Sequence, residues 1–251
     1  TYVPIEDRTT SLSNISAALE RVKTNIEKAV PRVHVVHRKA IAKLQISAPG
    51  ADIKLEVNLV GRGTLGNPVE MQLCRKAQED FQAFCVVQVV PLSQLYGGKI
   101  CAALDRQHPR DLFDVKYLLE NEGFSEEIKK GFLLALLGSD RPINEVINPN
   151  FQDQRSAMDN QFAGMTDENF SYEEYERTRA RLVKIIFESL TQDDKQFLLS
   201  VKAVKPNWKT NDFSQFPAII WKLQHLQKLK DSNPNKHSEQ YENLKKILIG
   251  S

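Results

Sequence analysis

The stretch Lys99-Ile-Cys-Ala-Ala-Leu-Asp-Arg-Gln-His-Pro-Arg-Asp-Leu-Phe-Asp114 places one lysine, two arginines and three aspartates within sixteen positions. Ile100 and Leu104 before the Gln107-His108 break, and Leu112 and Val115 after it, fall at helical spacing. Pro109 suits the first turn of a new helix. The reading is therefore helix, short turn, helix, with charges crowded between apolar anchors. Cations so placed can hold phosphates. Asp111 and Asp114, three residues apart, share nearly one face and can hold a metal or take a proton. The same residues also have a plain structural use. Arg110 and Asp111 can finish a helix start, where a carboxylate gains about 0.3–1 kcal/mol from the dipole. Asp114 can pair with Arg106 or Lys116, and Lys99 can be a surface lysine. The pattern alone leaves both readings open.

Working outward toward the N-terminus, Leu12, Ile15, Leu19, Val22, Ile26 and Val30 recur at helical spacing, with Thr10 or Ser11 as cap and Pro31 as stop. The period then changes. Residues 33–38, 41–47 and 53–60 are short and rich in β-branched side chains, and Pro49-Gly50-Ala-Asp52 supplies a turn between the last two. In 53–60, Ile53, Leu55, Val57 and Leu59 share one face, and Lys54, Glu56 and Asn58 the other. That polar row is either a solvated strand face or the wall of a cleft, where a carboxylate can serve as metal ligand or base. The continuous apolar run 84–90 predicts a strand buried on both faces.

Beyond Pro91 strands give way to helices. Residues 93–105 read as a helix despite Gly97-Gly98, which weaken it by roughly 1 kcal/mol each unless their smallness lets another element approach. Ser125 caps 126–137, Ser171 with Glu174 forms a capping box for a helix to 190, and Thr191 with Asp194 opens another. Residues 216–230 and 238–248 complete the helical half, while 138–170 is rich in loop signals. The expected architecture is α+β: a sheet region over 1–92 and a helical domain over 93–251.

The chain of 251 residues is long enough for one large domain or two modest ones. With 41% hydrophobic and 26% charged residues it reads as an ordinary globular protein. No apolar run approaches the roughly 18 residues of a membrane span, and no signal-peptide pattern is present. Cys74, Cys85 and Cys101 are odd in number and lack metal spacing, so they read as buried or free thiols of a reducing compartment, the cytoplasm. Net charge is +2, but from Leu198 onward nine lysines face four acids, giving +5 there and −3 before it. That basic end, with Trp208, Trp221 and His225, either attracts nucleic acid or solvates helix faces while the tryptophans pack inward. His34 and His37 read as strand-surface residues. No P-loop, dinucleotide fingerprint or nucleophile elbow occurs, and Gly61-Arg-Gly63-Thr-Leu-Gly66 reads as a turn.

The blocks Lys99-Ile-Cys-Ala-Ala-Leu-Asp-Arg106 and Pro109-Arg-Asp-Leu-Phe-Asp114 closely resemble the signature of the AbiEii nucleotidyltransferase-like toxins. So do Lys54-Leu-Glu56-Val-Asn58, Arg141-Pro142, Asn148-Pro149, Phe162-Ala-Gly-Met165 and Trp221-Lys-Leu223, and the likeness runs from Tyr2 to the C-terminus. The resemblance implies a small mixed nucleotidyltransferase-like sheet followed by a helical domain. It implies Mg²⁺-dependent transfer of a nucleotide from an NTP to a tRNA-like acceptor, in a type IV toxin encoded beside a DNA-binding antitoxin. It makes Lys99, Asp111 and Glu56 the catalytic set, with Lys99 on the triphosphate and Glu56 a metal ligand. Lys54, Arg106, Arg110 and Asp114 would bind substrate.

The family's Gly-Gly-Ser/Thr turn and Asp-x-Asp pair precede the Tyr2-Val-Pro-Ile-Glu-Asp-Arg8 segment, and this sequence opens at that segment with Thr1. The expectation is a shortened form of a longer enzyme, inactive as it stands, with an exposed sheet edge that favours self-association. The rival reading is a non-catalytic module that binds RNA or a protein through the basic end, with a purely structural or regulatory remnant as a third.

Overall fold

In the computed structural model, which describes residues 1–250, the chain forms two compact units. One is Thr1–Thr64 with Gln215–Ala218, and the other is Leu65–Ser214 with Ile219 onward. The mixture of helices and small sheets is the expected α+β class. Strands end at Val89, close to the expected change of organisation near 92, but the compact units divide at 64/65. The reason is strand pairing. The second pair of strands forms its own sheet instead of extending the first.

The first unit is a helix on a three-stranded antiparallel sheet. Helix α1 (Arg8–Ala29) is capped by Asp7, three residues before Thr10 and four before Ser11, because the Asp7 carboxylate accepts the Thr10 N–H at 2.9 Å. Hydrogen bonds from the Thr10 hydroxyl and then its N–H hold the Asp7 carboxyl below the usual carboxylate range. Ser11 is buried instead, with its hydroxyl donating to the Asp7 carbonyl at 2.8 Å and accepting from Arg62. Strands β1 (His34–Arg38), β2 (Lys43–Ala48) and β3 (Ala51–Glu56) run in that order, and Ile15 and Leu19 of α1 pack with Val35 and Leu44. Ala48 and Ala51 pair across Pro49-Gly50, and Gly50 takes the positive φ of 81° that this two-residue turn requires.

Two expectations fail in this unit. Strand β3 stops at Glu56 because the Asn58 side chain accepts the N–H groups of Val60 and Gly61 at 2.9 and 2.8 Å, an Asx turn that competes with the ladder. Its apolar row is also broken, since Ile53 is 59% exposed while Leu55 packs on the core. His37 is not a surface residue. It follows Val35 by two positions and pairs with Leu44, so it shares their covered face, where Nδ1 meets Glu20 of α1 at 2.8 Å.

The second unit opens with an antiparallel ribbon, β4 (Val69–Gln72) and β5 (Val86–Val89), joined through α2 (Arg75–Phe81). The apolar run 84–90 is therefore not a buried strand. β5 pairs with β4 alone, and Phe84, Val86 and Val87 are exposed. The helices follow as α3 (Leu92–Arg106), α4 (Pro109–Asn121), α5 (Glu126–Gly138), α6 (Ile143–Ile147) and α7 (Arg155–Ala157), which runs into a π turn at Met158–Phe162. Then come α8 (Tyr172–Ser189), α9 (Gln192–Lys202), α10 (Pro217–Ser232) and α11 (Pro234–Ile249). Both expected capping boxes form, Ser171 with Glu174 and Thr191 with Asp194.

The core is organised by α3 against α5, which supply Ile100, Leu104, Phe132, Leu133, Leu136 and Leu137, all buried. Their backbones touch at Gly97 and Gly131. A Cβ on Gly97 would lie 2.1 Å from the Gly131 carbonyl carbon, and one on Gly131 would lie 2.0 Å from the Ser93 carbonyl oxygen. Gly98, by contrast, faces open space. The propensity cost of Gly97 thus permits close helix packing, whereas that of Gly98 is uncompensated.

Two lysines of the basic end are interior, contrary to the expectation of solvated helix faces. Lys222 donates to the Ser139 and Arg141 carbonyls at 2.7 and 2.5 Å, satisfying groups just past the end of α5. Lys202 donates to Gln240 Oε1 at 2.6 Å. Burial pushes both ammonium groups down to about 8.

Gly97→Ala and Gly131→Ala are each expected to lower the unfolding free energy by about 1–3 kcal/mol or more through overpacking. Gly98→Ala should raise it by about 1 kcal/mol, and urea unfolding separates the three. A second outcome follows from the lysines. The unfolded chain keeps their protons up to about pH 10.5, while the folded chain releases them near 8. Stability therefore rises with pH across that window. The Cys101 thiol and Tyr175 phenol, both pushed up to about 12 by burial, oppose the gain above their ordinary values of 9.0 and 10.0. Between pH 7 and 9, wild type should gain about 1 kcal/mol over Lys202→Met, read by urea unfolding at each pH.

Candidate functional site

The charged block forms the end of α3, the corner, and the start of α4. Its corner residue Gln107 takes a left-handed φ of 52° and is buried, 3% exposed. Every polar group of its side chain is used. Nε2 donates to the Asn150 carbonyl at 2.7 Å, and Oε1 accepts from Gln152 N at 3.1 Å and Arg179 Nη1 at 2.9 Å. The Tyr175 hydroxyl donates to its carbonyl at 2.7 Å, and Arg179 also lies over the Phe151 ring at 4.1 Å. The corner is thereby fastened to α8 and to the loop after α6. His108 caps α4, its Nδ1 accepting the Arg110 N–H at 3.2 Å, so Arg110 and Asp111 are not the cap.

From this corner two opposite-charge pairs span α3 and α4. Lys99 pairs with Asp114, and Arg106 Nη2 donates to Asp111 Oδ1 at 2.9 Å. The alternative pairing of Asp114 with Arg106 or Lys116 does not form, since Lys116 reaches Glu174 at 3.3 Å. Asp111 is buried, and its Oδ2 has no hydrogen-bond partner among the described residues. Arg110 points to solvent, with no ion pair among those residues.

Residues of the block line two clefts. The first, about 540 Å³, is bounded by Lys99, Asp114, Tyr96, Phe113, Tyr117 and Glu168, among others. The second, about 580 Å³, takes in Asp105, Arg106, Arg141, Asn144, Asn148 and Lys246. Arg141 is fixed in its wall by Asp105 Oδ1 at 2.8 Å, the Asp105 carbonyl at 3.1 Å and Glu145 at 3.2 Å. Those carboxylates hold the Arg141 guanidinium above its ordinary range.

Five of the seven expected site residues, Lys99, Arg106, Arg110, Asp111 and Asp114, thus lie together in the second unit. Lys54 and Glu56 belong to the first. There Glu56 is paired with its cross-strand neighbour Lys43, whose ammonium holds the carboxyl below the usual range, and Lys54 is exposed. The sequence reading did not find the aromatic wall of the first cleft. Its signal was available: Tyr96 and Lys99 are three apart on α3, and Phe113 and Tyr117 four apart on α4. Gln107 and Arg179 left no pattern, because their roles arise from residues 43–72 positions distant.

The donors do not fit a resident cation. No three His, Cys, Asp or Glu side chains come together among the described residues. Asp114, Asp111 and Glu56 each face a cation of the protein itself.

Arg106→Ala would strip the buried Asp111 carboxylate of its one partner. It should cost about 1–3 kcal/mol of stability, and adding Asp111→Asn should recover part of that loss. A double-mutant cycle in urea measures the coupling.

No helix of the described residues is long and apolar enough to cross a membrane. No curated protein and no solved structure matches the chain. A family model does, over residues 1–217, described as nucleotidyl transferase AbiEii toxin of a type IV toxin–antitoxin system. The match takes in the whole charged block and both pairs built from it. This chain belongs to the AbiEii nucleotidyltransferase toxin family.

Proposed function

We propose that the cleft bounded by Lys99 and Asp114 binds an NTP, whose nucleotide is transferred to an RNA acceptor of the tRNA kind. The observation that carries this reading is the Lys99–Asp114 pair beside the rings of Tyr96, Phe113 and Tyr117. Both charged side chains are about 40% exposed, at 42% and 39%. An ion pair that open is worth about 0.2–1 kcal/mol, so a phosphate can take Lys99 from Asp114 at little cost. The rings offer faces on which a base can stack.

In the transfer, the acceptor hydroxyl oxygen bonds to the α-phosphorus, pyrophosphate leaves, and the hydroxyl proton goes to a base. The role of Asp111 as orienting group or base comes from the resemblance, since its unpaired Oδ2 is buried and Asp111 lines neither cleft. Lys99 supplies positive charge where phosphate charge develops, and a role for Arg110 there rests on the resemblance. Roles for Lys54 and Glu56 rest on the resemblance alone. Mg²⁺ belongs to the proposal as companion of the NTP phosphates. A DNA-binding antitoxin is the proposed genetic partner. The exposed β4–β5 ribbon is the proposed place of any self-association.

The 251 residues are expected to bind nucleotide through this cleft. Calorimetric titration with each of the four NTPs should show binding that Lys99→Ala weakens about tenfold, near 1.4 kcal/mol, and that Asp114→Asn strengthens. No NTP binding, or a Lys99→Ala variant equal to wild type, removes the reading. Labelled NTP with total tRNA tests transfer. An Asp111→Ala variant as active as wild type would end the role given to Asp111.

A further inference from the structure

The second cleft has a chemistry the NTP reading does not use. Its wall combines three cations, Arg106, Arg141 and Lys246, with the carboxylates Asp105 and Glu145, so its balance is only weakly positive. Amide side chains fill much of the remaining lining. Asn148, Asn150 and Asn243 are exposed in it and make no side-chain hydrogen bond among the described residues. Asn144 presents a buried Oδ1 with no partner. A buried amide oxygen left without a donor is costly, so a ligand donor that the Asn144 amide turns to meet on binding is favoured.

A phosphate alone offers acceptors, which would leave the Asn144 oxygen unpaired and would meet Asp105 and Glu145. A base edge offers donors and acceptors side by side, which amides match in pairs. Base edges are available in this way only where bases are unpaired and splayed out. Arg141 and Lys246 then remain for the phosphates between those bases.

We infer that the cleft between Arg141 and Lys246 is a subsite for unpaired nucleotides of an RNA, read by Asn144, Asn148, Asn150 and Asn243. It extends the proposed function by giving the RNA acceptor a place on the chain, and its test stands apart from the NTP test. Asn243 and Lys246 lie on α11, beyond the residues matched by the family, so the chain's own C-terminal helix completes the site. Residues 105–107 supply both this cleft and the block that pairs with the first. Arg106, which lines this cleft, is the ion-pair partner of Asp111.

The experiment is fluorescence anisotropy of the 251-residue chain with a labelled single-stranded RNA of about 12 nucleotides. The exposed pair Asn243→Ala/Lys246→Ala should weaken binding about tenfold and reduce the salt slope by about 0.7, the share of one phosphate contact on a single strand. Lys228→Ala/Lys236→Ala, two lysines outside the cleft, should leave both unchanged, and a duplex of equal length should bind much more weakly. The inference falls if wild type binds no RNA, if both pairs of substitutions act alike, or if duplex binds as well as single strand. ATP titration of the same variants keeps the readings separate. Loss of RNA binding with normal ATP binding supports the cleft, and a Lys99→Ala variant with normal ATP affinity removes the NTP site without touching it.

Discussion

The side chain of Gln107 is the tie on which the second unit's functional geometry depends. It occupies a two-residue corner between α3 and α4, in a left-handed conformation that costs a non-glycine residue about 1–2 kcal/mol. What holds it there is complete satisfaction of its polar groups, by the Asn150 carbonyl, Gln152 N–H and Arg179, with Tyr175 on its own carbonyl. Because the network is buried, each missing partner would leave an unpaired polar atom in a poorly solvated place. The corner is thereby fixed, and the spacing between α3 and α4 with it. Lys99 meets Asp114 and Arg106 meets Asp111 because that corner does not open.

The two ion pairs differ in a way that separates their uses. Lys99–Asp114 is open to water and easily exchanged. Arg106–Asp111 combines an exposed guanidinium with a carboxylate 11% exposed, so it holds a charge where water cannot. One oxygen of that carboxylate remains unused. A half-satisfied buried carboxylate is costly for stability and useful for chemistry.

The same economy appears in the scaffold. Gly97 and Gly131 give up helix propensity so that α3 and α5 can touch, and the contact brings their large apolar residues into one core. Lys222 gives up hydration to close the carbonyls after α5, where Arg141 begins, so the guanidinium in the second cleft's wall is set from beneath by a buried ammonium.

Local features were determined by the sequence alone. The capping boxes at Ser171 and Thr191 and the α3–α4 break depend on residues at most four apart, and each forms as read, while the turn expected over Pro49–Asp52 tightens to Pro49-Gly50. Five of the seven residues named from the sequence lie together because they fall within sixteen positions. Only the tertiary structure decided the rest. Hydropathy made 84–90 look like an interior strand, but strand burial depends on how many neighbours a strand acquires, and β5 acquires one. Charge made Lys202 and Lys222 look solvated, but burial follows from which carbonyls and amides the fold brings to them. Which carboxylate meets which cation, and which amides are left unpaired, rests on contacts between residues distant in the chain, and composition and periodicity carry no record of those.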